Sequence, residues 1–239
     1  MSVVCPIIEL RQYTLHPGRR DELIGLFERA FVESQEACDM TLIGQFRDLD
    51  RPDHFVWLRG FDDMAARLKA MTAFYSGPVW QAHRNAANAT MIDSDDVLLL
   101  RPLDDASGFT LGERGPPGAV GAGPGAAVFG IHRIEGPGDL LPGRFRTELV
   151  PRLAAAGLAV DMVLVTEAAP NDFPGLPVRE GERVMVWVSV AADQATLDAA
   201  LSAARADPAL TPLLAAALQL MRLQPTARSR LYGGPSIAG

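Results

Sequence analysis

The sequence is poor in the residues that usually announce chemistry. It has two cysteines, Cys5 and Cys38, in 239 residues, too few for a disulfide framework or a cysteine-rich metal site. Cys5 lies close to the N-terminus. Cys38 falls near a helix end, where the helix dipole does not lower a thiol pKa, so neither is read as a nucleophile. The four histidines, His16, His54, His83 and His132, are scattered. None belongs to an HExxH pair or a two-cysteine spacing. Asp93, Asp95 and Asp96 lack the other ligands of a calcium loop. No metal and no cofactor is expected. Ser76-Gly77 is not in a GxSxG setting. Gly121-Ala-Gly-Pro-Gly125 has a proline and no following lysine, which makes a poor phosphate loop.

Basic charge is also scarce. Twenty-two Lys and Arg stand against 29 Asp and Glu, for a net charge of −7. That argues against a general nucleic-acid binder, which needs clustered cations. It leaves room for an anionic small molecule, because a local arginine pair can act inside an acidic protein. No apolar run reaches the roughly 18 residues of a membrane span, and no secretory leader is recognisable. A cytoplasmic protein without membrane contact is the expectation.

What the chain does have is apolar content, 48%, arranged in two kinds of period. Ile7 to Leu15 alternates like a strand, Pro17-Gly18 reads as a turn, and Arg19 onward takes a helical period with Leu23, Phe27, Ala30 and Phe31 on one side. On the strand, the even positions (Ile8, Leu10, Gln12, Thr14) are the more apolar and are expected to meet the helices. The odd positions present Glu9, Arg11 and Tyr13 towards another surface. Strands follow at Met40–Asp48 and His54–Phe61 around a tight turn. Asp62 can cap the next helix. A second helical stretch spans about Val79–Ala89, and Val97–Arg101 is a fourth strand. The order β-α-β-β-α-β is the ferredoxin-like arrangement.

Residues 105–126 are rich in Gly and Pro and read as a linker. The pattern then returns over 127–239, with strands at Ala127–Ile134, Leu158–Thr166, Arg183–Val190 and Leu220–Gln224. Pro17-Gly18 corresponds to Pro137-Gly138, Trp57 to Trp187, and Leu98–Pro102 to Met221–Pro225. A longer loop, Ala169–Gly181, holds the extra residues of the second copy. The expected fold class is α+β: two ferredoxin-like modules, residues 1–104 and 127–239, packed sheet to sheet as an internal dimeric α/β barrel. A homo-oligomer of such internally paired chains is a possible further assembly.

Glu9-Leu-Arg-Gln-Tyr-Thr-Leu-His-Pro-Gly18 resembles the opening motif of NIPSNAP-family domains. Phe55–Ala70, FVWLRGFDDMAARLKA, resembles that family's third strand and following helix. The resemblance covers roughly Ile7–Leu103 and is weaker in the second half, where Glu182–Ala200 is the clearest stretch. It implies the dimeric α/β-barrel superfamily and a module that binds a small molecule or a protein, with no single reaction. Related barrels include cofactor-free monooxygenases, isomerases and haem proteins, and fold alone does not choose among them. The second module departs at its first strand, VFGIHRI, which lacks the Glu9, Arg11 and Tyr13 pattern.

Those three residues are the candidate catalytic set. Arg11 would orient an anion, Glu9 accept a proton, and Tyr13 donate one to a carbonyl or enolate oxygen. A buried Glu-Arg network closed by a phenol accounts for the same spelling. His54, Tyr75, Trp80 and His83 are candidate ligand contacts, since aromatics with a histidine suit an apolar planar molecule. Trp57 and Trp187 read as matched core residues. The leading function is binding of a small apolar or carboxylate-bearing molecule in a barrel cavity between or beside the sheets. Its enzyme version is a cofactor-independent monooxygenase or isomerase with Glu9 or a histidine as base. The alternatives are a non-catalytic protein-interaction module and a haem barrel served by one axial histidine.

Overall fold

The computed structural model of the chain describes residues 5–136 and 138–232. Pro137, one member of the matched turns, lies outside them. Strand β1 (Ile7–Leu15) leads into α1 (Arg20–Leu26), a π-turn at Phe27–Phe31, and α2 (Val32–Glu36). Gly18 makes the turn at φ 76°, a region open to glycine without a Cβ clash, and its N–H is held by Asp53 Oδ1 at 2.8 Å. Strands β2 (Thr41–Asp48) and β3 (His54–Phe61) form the hairpin. Asp63, not Asp62, caps α3 (Met64–Ser76), its carboxylate accepting from Ala66 N at 2.7 Å. Helix α4 (Pro78–Asn88) starts on a proline, and β4 (Met91–Pro102) closes the first unit.

The second unit repeats this order. It runs β5 (Ala126–Arg133), α5 (Leu141–Arg144), a π-turn at Phe145–Leu149, α6 (Val150–Ala155), β6 (Val160–Thr166) and β7 (Val184–Ala191). It ends with α7 (Gln194–Ala206), α8 (Thr211–Ala215) and β8 (Gln219–Pro225). Asp193 caps α7 as Asp63 caps α3. The π-turn recurs at the same place in both units, so it belongs to the repeated fold.

All eight strands form one closed antiparallel barrel in the order β1-β3-β2-β8-β5-β7-β6-β4. The two four-stranded sheets join edge to edge. Phe46 to Asp48 of β2 pair with Leu223 to Pro225 of β8, and Leu100 to Pro102 of β4 pair with Leu164 to Thr166 of β6. Each outer strand of one sheet thus meets an outer strand of the other along a three-residue seam. The register makes the duplication residue-specific. Arg11 opposes Trp57 and Gly130 opposes Trp187; Leu10 opposes Leu98 and Phe129 opposes Met221. Residues 103–125 run as extended coil against the tail, where Gly112 N bonds Arg230 O at 2.8 Å and Arg114 bonds Arg228 O at 2.9 Å.

One expectation is reversed. The even face of β1 turns into the barrel, where Ile8 and Leu10 join Phe46, Leu58, Phe129 and Met162 in a dry core. The odd face, with Glu9, Arg11 and Tyr13, lies under the helices. Alternation separates two faces but does not say which one the helices cover, and here the more apolar face fills the lumen. The barrel interior is therefore packed core. A space for a ligand lies outside it, between sheet and helices. Among the described residues no helix is long and apolar enough to cross a membrane.

Candidate functional site

Glu9 is the hub of a buried ionic network in the first unit. Its Oε2 accepts from Arg11 Nη1 at 2.8 Å and Arg59 Nε at 2.8 Å, and its Oε1 accepts from Arg67 Nε at 2.7 Å. Glu9, Arg11, Arg59 and Arg67 are all fully buried. Their placement follows from strand pairing. Glu9 and Arg59 are register partners on β1 and β3, and Arg67 lies one turn into the Asp63-capped helix that returns over them. Burial alone would raise the Glu9 pKa, but Arg59, Arg11 and Arg67 outweigh it and hold the carboxyl well below the usual carboxylate range. Arg67 also pairs with Asp172, which comes from the second unit.

Aromatic rings sit on this network. Two guanidiniums lie over the Trp57 ring, Arg59 at 5.2 Å and Arg11 at 5.5 Å from its centroid. Arg11 Nε donates to the Tyr13 hydroxyl at 3.0 Å, and Arg59 Nη1 points to the Tyr75 hydroxyl at 3.5 Å and to Gln35 Oε1 at 2.9 Å. Burial pushes the Tyr13 phenol pKa up.

Above the rings is a cavity of about 420 Å³. Its floor is Tyr13 and Trp57. Phe27 and Phe31 of the π-turn form one wall, and Phe74, Tyr75 and Trp80 around the α3–α4 break form another. The roof is foreign to this unit: Phe173, Leu176 and Pro177 come from the loop between β6 and β7. Phe173 stacks beside Tyr75 with centroids 5.8 Å apart. Asn171 shapes the loop through bonds from its Nδ2 to Leu176 O at 2.9 Å and to Phe173 O at 3.3 Å. Arg179 anchors its end on Asp96 at 3.0 Å. Asp95 and Ser94 stand in the lining, and Asp95 is exposed.

Of the candidate residues, Tyr13, Tyr75 and Trp80 line the cavity. Glu9 and Arg11 lie beneath it as supports. His83 packs against Phe31 at 6.2 Å but is not in the lining. His54 belongs elsewhere, sharing a hydrogen bond with Thr14 Oγ1 at 3.2 Å. No histidine lines the cavity, so it offers haem no axial nitrogen. Sequence reading did not name Arg59, Arg67 or the loop as part of a site, and it read Trp57 as core, whereas Trp57 also lines the cavity. Strand alternation does put Arg59 on one face with Phe55, Trp57 and Phe61, which was its one signal. The loop's reach onto the other unit had no signal beyond its length.

The second unit shows what the fold does without this equipment. By register, Glu9, Arg11 and Arg59 become Val128, Gly130 and Ser189, and the helix position of Arg67, four residues after its cap, becomes Leu197. Trp187 fills the space of the missing arginine: a Cβ on Gly130 would meet its ring at 2.2 Å. Tyr13 becomes His132, whose Nε2 accepts from Trp187 Nε1 at 3.0 Å. Burial pushes His132 down to about 4. The hairpin of the first unit, 49–53, is also too short to roof the second as 167–183 roofs the first. Since one copy packs sheet on helix without the charges, the fold itself does not require them in the other.

Fold and site together define a single-chain dimeric α/β barrel in which one half carries a cavity and the other half covers it. Residues 8–107, which cover the first unit, match the NIPSNAP family model. A proposed monooxygenase from Lactobacillus acidophilus NCFM shares 12% identity at a TM-score of 0.52, covering 95% of this chain and 96% of that one. A second, from Fusobacterium nucleatum, shares 9% identity at a TM-score of 0.56 over 97% and 96%. These two likenesses speak to the fold alone. An uncharacterised NIPSNAP-like protein from Burkholderia xenovorans is 27% identical over 41% of this chain and 86% of its own, with a TM-score of 0.39. No curated protein matches.

Proposed function

We propose that the chain binds a small, largely planar molecule, apolar or carboxylate-bearing, in the cavity beneath its N-terminal helices. The observation that carries this reading is the lining: aromatic walls around about 420 Å³ with a few polar atoms, roofed by a loop of the other unit. Arg11 and Glu9 serve as positioning residues beneath it, and Tyr13, Tyr75 and Trp80 as contacts. An apolar pocket lined by Tyr13, Tyr75 and Trp80 supports this reading over a protein-interaction module.

The second reading is a cofactor-independent monooxygenase or isomerase, favoured by a phenol fixed where a developing oxyanion could sit. Glu9 makes a poor base for it, because guanidiniums occupy both oxygens. His54 and His83 lie outside the lining, and Asp95 is the carboxylate that remains.

The test is a titration of the protein with a panel of naphthalene derivatives, read by tryptophan fluorescence. Trp57 and Trp80 line the cavity, so one-site saturable quenching is expected. Leu176→Trp, a half-buried loop position facing the space, should weaken it by about tenfold or more. Failure of every member to bind would overturn the reading.

A further inference from the structure

The cavity has a polarity that its apolar walls conceal. A guanidinium can only donate hydrogen bonds, so a phenol bonded to one must use its oxygen as acceptor. The Tyr13 oxygen accepts from Arg11 at 3.0 Å, and the Tyr75 oxygen is approached by Arg59 at 3.5 Å. Neither hydroxyl proton has an acceptor among the described residues. Trp57 is 2% exposed, lines the same space, and its Nε1–H has no partner among the described residues. Gln35, also in the lining, has its Oε1 bonded by Arg59 at 2.9 Å. Three side chains of the wall thus hold protons and lack oxygens to give them to. An unmet indole N–H in a buried site is costly unless something arrives to accept it.

Charge points the same way. The network under the floor contains three guanidiniums, Arg11, Arg59 and Arg67, and two carboxylates, Glu9 and Asp172. One positive charge is left over in a buried place, where an unbalanced charge is expensive. Asp95, at the mouth, is exposed, and water screens it from the floor. The second unit supplies a control. There the indole N–H of Trp187 has its acceptor, His132, and the arginines are gone. Where the acceptor is built in, the indole donor is met and the excess charge is absent.

We infer that the cavity is selective for a planar aromatic molecule carrying an ionised oxygen, an aryl carboxylate or its like, held by Trp57 Nε1–H and the hydroxyls of Tyr13 and Tyr75. This deepens the binding reading above and rests on it. The buried arginines contribute by fixing the direction of the hydroxyls and by supplying a field, without touching the ligand. The chain then distinguishes an anion from a neutral molecule of the same shape.

Calorimetric titration of the full chain with 2-naphthoate, 2-acetylnaphthalene and 2-naphthylmethylamine tests this. The expected order is naphthoate tightest, by about thirtyfold over the neutral ketone, with the amine not binding, since charge-assisted bonds exceed neutral ones. Tyr75→Phe, at a half-buried position, and Trp57→Phe should each weaken naphthoate by about tenfold and the ketone by less. Circular dichroism of each variant establishes that it has folded. Equal or tighter binding of the ketone would overturn the selectivity and leave the cavity reading standing. Absence of binding by all three probes would overturn both.

Discussion

Glu9→Gln is the sharpest perturbation of the network. The side chain keeps its shape and loses its charge. In the native chain Glu9 is fully buried and takes bonds from three guanidiniums at 2.7–2.8 Å. The amide leaves Arg11, Arg59 and Arg67 facing one another with only Asp172 as counter-charge. Its NH₂ also points a donor at groups that can only donate. Breaking a buried pair from one side costs about 3–5 kcal/mol, and nothing here lets water reach the stranded cations. For a chain of this size about 4 kcal/mol corresponds to a fall in Tm of about 8–16 °C. Urea unfolding and calorimetry measure the loss. Its pH dependence identifies the cause. Because the folded pKa of Glu9 lies below the usual carboxylate range, its contribution is complete above that range and disappears as pH falls through the folded value. The gap between wild type and Glu9→Gln should stay constant from pH 7 down to the ordinary carboxylate range and then close. A loss under about 1 kcal/mol at pH 7, or a gap independent of acid, would refute the reasoning.

Other outcomes follow from the same geometry. His132 is held neutral by burial, with a pKa of about 4 against 6.5 unfolded. The unfolded chain therefore binds the extra proton between those values, and stability should drop by up to about 3 kcal/mol as pH falls through that window; His132→Gln should flatten this part of the stability–pH curve. Gly130→Ala drives a methyl into the Trp187 indole at 2.2 Å, and should cost about 2–3 kcal/mol by chemical denaturation, with Trp187 fluorescence shifted. Replacing 169–180 by a short turn removes the roof. It should expose Trp80 to quenching by iodide and abolish naphthoate binding while leaving the far-ultraviolet dichroism of the barrel strands in place.

The order of elements was readable because each segment carries its own period and its own punctuation. Pro17-Gly18 and the matched tryptophans placed the two copies in phase, and the register of Trp57 with Arg11 and of Trp187 with Gly130 follows that phase. The facing of β1 was misjudged. Ile8 and Leu10 are apolar enough for either layer, and only closure of the ring, which depends on the strands of the other unit, turns them inward. The site was half legible. Tyr13, Tyr75 and Trp80 declared themselves as aromatics near polar partners. Arg59 and Arg67 were not singled out, because their pairing depends on a carboxylate 50 and 58 residues earlier. The roof was invisible for a different reason. Phe173 and Leu176 lie in a loop whose sequence says only that it is long, and its landing place on the other unit is a property of the barrel.

The central claim is that one half of the barrel holds a ligand between its sheet and helices while the lumen stays dry. A crystal structure of the full chain grown with 2-naphthoate tests it most directly. The expected result is density for the naphthalene between Trp57, Phe31 and Trp80, with a carboxylate oxygen within hydrogen-bonding reach of Trp57 Nε1, and none over Trp187. Density in the lumen among Leu10, Leu58 and Phe129, or an empty N-terminal cavity at saturating probe, would contradict the account.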